Sequence, residues 1–337
     1  MTEENKEVEN ISDQFKNKSS WIDSFFGKIR TDQPDNYYEN LQTKVSIKFN
    51  KNKKFLFVLK KLYRIYYNIK GPFHMLPDFL ILGPGACGTT SLVELYLRSN
   101  ENIFPSKNNE IFFFDIHYDK SVNWYKVFFP HNFLKIFRKF LGKKTLTCEA
   151  TGNYIFHPYA PKRIKEIIPN AKFILMMRNP VDRTFSHYRR QVRRGRQTLS
   201  FEDALENELK IFDEEFERFE NDENLSEDIA PTASYLARSR YVEAIERWLK
   251  FFPKKQFLFI NSDEYFKDPV KEYNRILEFL NLPPHHPTIK GQRGISPPNL
   301  YKNIQLKSET KKFLIDYFKS WNEKLYQLIG RDFEWNK

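Results

Sequence analysis

The sequence predicts an α/β fold in three layers, a central, mainly parallel sheet flanked by helices, and three observations predict it. From Pro77 onward, short apolar runs of β character alternate with stretches of helical pattern, as parallel strands joined by crossover helices do. The first of these runs ends in a turn of small residues that opens directly into a helix. The third observation is compositional. The 337 residues are 40% hydrophobic and include 33 Phe and 18 Tyr, enough core for one large domain or two modest ones, whereas 11 Gly and 18 Pro are too few for a fibrous or low-complexity chain. Collagen, coiled coil and wholesale disorder are excluded.

Taken in order, residues 1–43 are polar and unpatterned and are expected to form a poorly ordered tail. Glu3, Glu4, Glu7 and Glu9 stand where a secretory signal would carry a basic patch and an apolar run. Residues 44–76 form a basic aromatic arm. Between Lys44 and Lys70 there are nine Lys/Arg and no acid, interleaved with Phe55, Phe57, Tyr63, Tyr66 and Tyr67. Three readings fit that pattern: an amphipathic arm packed on the following domain, which is favoured, peripheral contact of 44–70 with an anionic membrane surface, or nucleic-acid binding. The early apolar run from Phe55 to Leu59 is far short of the ~20 residues a spanning helix needs.

A single α/β domain is expected over 77–337. Its strands are read at 78–82, 146–148, 172–177 and 256–260, each a short run bounded by turn residues. Helices are read at 90–99, 160–168, 183–194, 235–251, 269–280 and 308–328. A second basic cluster, Arg189, Arg190, Arg193, Arg194 and Arg196, precedes a very acidic stretch from Glu202 to Asp228, and the two are expected partly to neutralise each other. Cys87 and Cys148 are the only cysteines, so neither a disulfide framework nor a cysteine-rich zinc site is available, and a reducing, cytoplasmic setting is expected. The seven histidines show no ligand spacing, and no metal is expected.

The chemistry begins at Gly83-Pro84-Gly85-Ala86-Cys87-Gly88-Thr89-Thr90-Ser91. Small residues let the backbone curl until several N–H groups point inward, and the helix that follows adds the positive end of its dipole. Gly83 and Gly88 have the spacing of the nucleotide-binding P-loop, but Thr89 stands where that motif has lysine, which disfavours an ordinary ATPase or GTPase. The fold is therefore read as P-loop-like. A second anion site is read at Arg178-Asn179-Pro180, at the carboxyl end of the 172–177 run, where open sheets place their ligands. Ser186, on the helix that Pro180 starts, is its expected partner.

These residues resemble the sulfotransferases that use 3′-phosphoadenylyl sulfate (PAPS), in the branch of the heparan-sulfate enzymes and their microbial relatives. The resemblance rests on Pro77 to Gly83, Cys87 to Leu92, Arg178-Asn179-Pro180 and Ser186-His187-Tyr188, with further matches at Glu110 to Asp115, Glu149-Ala150-Thr151 and Gly330 to Phe333. It implies that Ala86, Cys87, Gly88, Thr89, Thr90 and Ser91 hold the 5′-phosphosulfate of PAPS and that Arg178 and Ser186 hold its 3′-phosphate. It implies that Glu110 is the general base, and that a late loop containing Arg293 and Gly294 closes over the nucleotide. The implied reaction is sulfuryl transfer from PAPS to a hydroxyl or amine of an acceptor, a glycan or a small natural product, without a metal. Three positions depart from the family pattern. Ala86 stands where relatives usually carry the Lys or Arg that neutralises charge on the bridging oxygen, and Phe112 and Ala150 stand at positions often basic or imidazole. Lys107 and Arg293 are the replacement cations suggested by sequence. Ala86 also motivates the rival reading, a catalytically silent PAPS-binding relative. Nucleic-acid binding through the basic clusters ranks last.

Overall fold

The computed structural model describes residues 53–210, 235–287 and 304–336. The chain divides into two compact units, 1–59 and 60–337. Of the first unit only the opening of the helix Lys53–Lys70 is described. The expected tail, the first part of the arm and the loop with Arg293 and Gly294 lie outside the described residues. Within 60–337, Leu62, Ile65, Tyr66 and Ile69 of that helix are exposed, so this stretch does not bury an apolar face as a packed arm would.

Five strands form the sheet: β1 (Phe79–Leu82), β2 (Ile103–Pro105), β3 (Leu146–Glu149), β4 (Lys172–Met177) and β5 (Phe257–Asn261). They lie in the order β2-β3-β1-β4-β5, and every pairing is parallel. All four residues of β1 are buried, as are Phe173 to Met177 of β4. Helices on both faces demand such continuous apolar runs. The period of two then sorts the side chains between two cores. Phe79, Ile81, Ile174 and Met176 pack with Tyr265, Tyr273 and Ile276, from the helices Ser262–Lys267 and Pro269–Phe279. Phe173 turns to the opposite face, where its ring meets Trp248 of the helix Tyr241–Leu249 at 5.1 Å, edge to face. The indole Nε1 of Trp248 donates to the Ile155 carbonyl at 3.1 Å, which satisfies its one polar atom in the core.

The structure adds elements that the sequence reading omits. β2 is a three-residue edge strand ending in proline, and the helices Val122–Lys126, Asn132–Phe140 and Ser262–Lys267 were not expected. The helix Asn132–Phe140 turns Phe133, Ile136, Phe137 and Phe140 outward, with Phe140 87% exposed. The helix expected over 235–251 is divided into a tight turn, Ala237–Ser239, and the helix Tyr241–Leu249. The cause is remote in sequence. The buried carboxylate of Glu208 accepts the N–H groups of Tyr235, Leu236 and Ala237, which caps the turn from outside the segment.

The strand order sets the position of the ligand crevice. From β1 the chain moves to β2 on one side, and from β4 to β5 on the other, so the two connections part above neighbouring strand ends. A sheet of this kind opens its cleft at that reversal. The turn after Leu82 and the residue after Met177 therefore flank one crevice.

Candidate active site

The turn leaving β1 is shaped by contacts from three sides. Ala86 and Gly88 both have left-handed backbone, φ 77° and 91°. Flanking Cys87, they curl the chain so that N–H groups converge on one side. The N–H groups of Gly85, Ala86 and Gly88 have no protein acceptor among the described residues. At the start of the helix after β5, the hydroxyl of Ser262 donates to the Cys87 carbonyl at 2.7 Å and pins the turn. Below it, burial raises the Cys87 thiol to about 11 against the opposing charges of Arg183 and Arg178, so the cysteine is a packed, neutral group rather than a nucleophile. After Gly88 the chain winds as a helix through Ser99, loosened over Leu92–Tyr96 and tightened at its end. Thr89 is half-buried, Thr90 is exposed, and Ser91 lies 2.9 Å from the Tyr265 hydroxyl.

Arg178 stands beside this turn at the end of β4. Its carbonyl accepts from the Tyr241 hydroxyl at 2.8 Å, and its charge acts on the Cys87 thiol. The Nε of Arg178 is buried without a hydrogen-bond partner among the described residues. A buried guanidinium donor left open in a cleft is suited to an anion that brings its own acceptors. On the next helix, Pro180–Arg193, the buried side carries Arg183, Thr184 and His187, while Ser186 and Arg190 are half-buried one turn apart. Burial and the nearby guanidinium of Arg183 hold His187 well below the usual imidazole range, so it is neutral and structural.

The loop that carries Glu110 is tied to the end of β3 beside the phosphate turn. The Ala150 N–H donates to the Asn109 carbonyl at 3.3 Å, and the Ile111 N–H donates to Thr151 Oγ1 at 3.1 Å, so both neighbours of Glu110 are tied to the segment leaving β3. The next residue of that segment, Gly152, lies so close to the Gly83 carbonyl that a Cβ there would clash. The Glu110 loop, the end of β3 and the phosphate turn thus form one contact chain. Phe112 within the loop has φ 56°, which is uncommon for a bulky residue and of the kind of strain that sites retain.

Beneath the loop lies a buried cluster that sequence reasoning missed. The Glu149 carboxylate accepts the hydroxyls of Tyr125, of Thr151 at 2.9 Å and of Tyr154 at 3.2 Å. The Tyr154 oxygen in turn accepts the Phe113 N–H at 2.8 Å. Burial raises Glu149 to about 7, against the pull of these hydroxyl donors. The available signal was Glu149-Ala150-Thr151, which was matched as a motif but given no role.

The sequence suggests two replacement cations for the position of Ala86, Lys107 and Arg293. Lys107 is exposed, with its backbone N–H on the Phe128 carbonyl, and no contact among the described residues joins it to the phosphate turn. Arg293 lies outside the described residues. No group of His, Cys, Asp and Glu suited to a metal occurs among the described residues.

Comparison with known proteins bears on the assembled site. Residues 76–312 match the family model described as the sulfotransferase domain. The chain is 26% identical to the membrane-associated sulfotransferase kil1 of Dictyostelium discoideum, over 79% of this chain and 68% of that protein. It is 28% identical to the human heparan sulfate glucosamine 3-O-sulfotransferase 3B1, over 77% of this chain and 65% of the relative. The chain therefore spans about two thirds of the length of these relatives. Among solved structures, the sulfotransferase from Alicyclobacillus acidocaldarius matches with a TM-score of 0.57 and 28% identity, over 78% of this chain and 100% of that one. With the matched region covering the five-stranded sheet, the phosphate turn and Arg178, the chain belongs to the sulfotransferase family.

Proposed function

We propose that the protein transfers a sulfuryl group from PAPS to a hydroxyl of an acceptor, either a glycan or a small hydroxylated molecule. The observation that carries this reading is the shared crevice. On one side are open N–H groups at Gly85, Ala86 and Gly88, and on the other is the unpartnered Nε of Arg178. These two donor sets suit a ligand with an anionic group at each end, as PAPS has and ATP does not. The turn would hold the 5′-phosphosulfate, and Arg178 with Ser186 the 3′-phosphate. Glu110 would take the acceptor's proton as its oxygen bonds to sulfur, and the bond from sulfur to the bridging oxygen breaks to leave adenosine 3′,5′-bisphosphate (PAP). Positioning and charge stabilisation dominate such in-line transfers.

Calorimetric titration with PAP tests the nucleotide assignment. Arg178→Ala removes a charge-assisted contact and is expected to weaken PAP binding by roughly 10–100-fold. Equal affinity in the two proteins would remove the reading. The silent-relative alternative is favoured by Ala86. It predicts PAP binding without transfer of label from PAPS to any member of an acceptor panel.

No helix among the described residues is long and apolar enough to cross a membrane. The outward Phe133, Ile136, Phe137 and Phe140, with the exposed Lys139 on the same helix, support peripheral contact with an anionic bilayer, and one relative is named as membrane-associated. Vesicles containing phosphatidylserine should co-sediment with the protein, and replacing those four residues with Ser should abolish it. Equal sedimentation of the variant would argue against this contact.

A further inference from the structure

We propose that Arg190 supplies the cation missing from the phosphate turn and acts on the 5′-phosphosulfate of the bound donor in place of a residue at position 86. The proposal rests on the reading of the crevice as a PAPS site.

The geometry begins at Gly85. A Cβ built there would lie 2.9 Å from Nη1 of Arg190, the nearest side-chain atom among the described residues beyond its chain neighbours. The Arg190 guanidinium therefore occupies the space that any side chain at position 85 would take. Gly85 directly precedes Ala86, the position at which the loop lacks its cation. Arg190 belongs to the helix Pro180–Arg193, which is fixed to the segment before the turn Ala237–Ser239 by Arg183 and Thr184, both bonded to the Tyr235 carbonyl. Ser186 precedes Arg190 by one turn on the same half-buried side. A single helix face therefore presents Ser186 toward the 3′-phosphate side and Arg190 toward the phosphate turn.

Among the described residues no carboxylate pairs with Arg190, and most of the acidic stretch expected to neutralise its cluster, 211–228, lies outside them. A guanidinium stays protonated throughout the working pH range and offers donors in a planar fork suited to phosphate oxygens. As the acceptor oxygen bonds to sulfur and the sulfur–bridging-oxygen bond breaks, negative charge grows on the leaving 5′-phosphate. A donor fixed beside Gly85 meets that charge without reorganisation. Ala86 then marks a cation moved from the turn to the facing helix rather than one lost.

Two fragments of the donor separate its two ends. Adenosine 5′-phosphosulfate carries only the reacting end, and adenosine 3′-phosphate only the other; each is titrated in competition with PAP. Arg190→Ala should weaken adenosine 5′-phosphosulfate about tenfold or more and leave adenosine 3′-phosphate within about twofold. Arg178→Ala should do the reverse. Adding Ala86→Lys to Arg190→Ala should recover most of the lost affinity, which a purely structural role for Arg190 would not produce. Unchanged affinity of Arg190→Ala for adenosine 5′-phosphosulfate, or a loss that Ala86→Lys leaves in place, overturns the proposal. Failure of the unaltered protein to bind PAP overturns the PAPS reading itself, and that result is distinguishable because it precedes any substitution at position 190. Arg190→Gln, which keeps the length and polarity of the side chain, provides the same contrast should the alanine variant fold poorly.

Discussion

Glu110→Gln is expected to lower kcat by roughly 10²–10⁴-fold while leaving the affinity for PAP unchanged. Glutamine matches the carboxylate in size and keeps one acceptor oxygen, so the loop retains its shape, but it cannot take a proton. The loop itself is held by backbone groups on either side of residue 110, through Asn109 to Ala150 and Ile111 to Thr151, which the substitution does not touch. The proposed contacts to the nucleotide lie on other segments, the turn after β1 and the residues after β4. Transfer of label from PAPS to an acceptor measures the first quantity and calorimetry with PAP the second. A variant with full turnover would show that another group accepts the proton. A variant that loses PAP affinity as well would place Glu110 on the donor rather than on the acceptor.

The strands and the phosphate turn were legible because local pattern decides them. A strand buried on both faces must be a continuous apolar run, as Phe79–Leu82 and Lys172–Met177 are, and the small residues after Leu82 leave the backbone few other shapes. β2 was not legible, since three residues ending in proline at a sheet edge carry almost no periodicity. The break before Tyr241 was hidden for a different reason. It depends on Glu208, whose carboxylate captures N–H groups nearly thirty positions away. The site divides along the same line. Arg178 and Glu110 stand out in sequence because each sits in a contiguous motif. Arg190 was read only as part of a charge cluster, because its meeting with Gly85 is made by the fold and not by neighbours in sequence.

Glu149 should make the stability of the protein fall as pH rises through neutrality. Burial raises its carboxyl from 4.5 to about 7 in the folded chain, whereas the unfolded chain releases that proton near 4.5. Below pH 4.5 both states are protonated and the folded state keeps its full advantage from this group. Between pH 4.5 and 7 the unfolded state ionises first, and the advantage is lost; above 7 both are ionised. The difference in unfolding free energy between the wild type and Glu149→Gln should therefore shrink by about 3 kcal/mol from pH 4.5 to 8. Denaturant unfolding of both proteins across that range measures it, and a pH-independent difference would mean that the carboxyl titrates as in an unfolded chain.

The same proton reorders the bonds beneath the Glu110 loop. An ionised Glu149 can only accept, so the hydroxyls of Tyr125, Thr151 and Tyr154 all donate to it. That leaves the oxygens of Thr151 and Tyr154 free to accept the N–H groups of Ile111 and Phe113, on either side of Phe112. A protonated Glu149 instead donates to one of these hydroxyl oxygens and turns that hydroxyl's own proton elsewhere, while the oxygen keeps a second lone pair for a backbone N–H. The strained backbone at Phe112 lies between the two bonds through which Thr151 and Tyr154 hold the Glu110 loop in both forms.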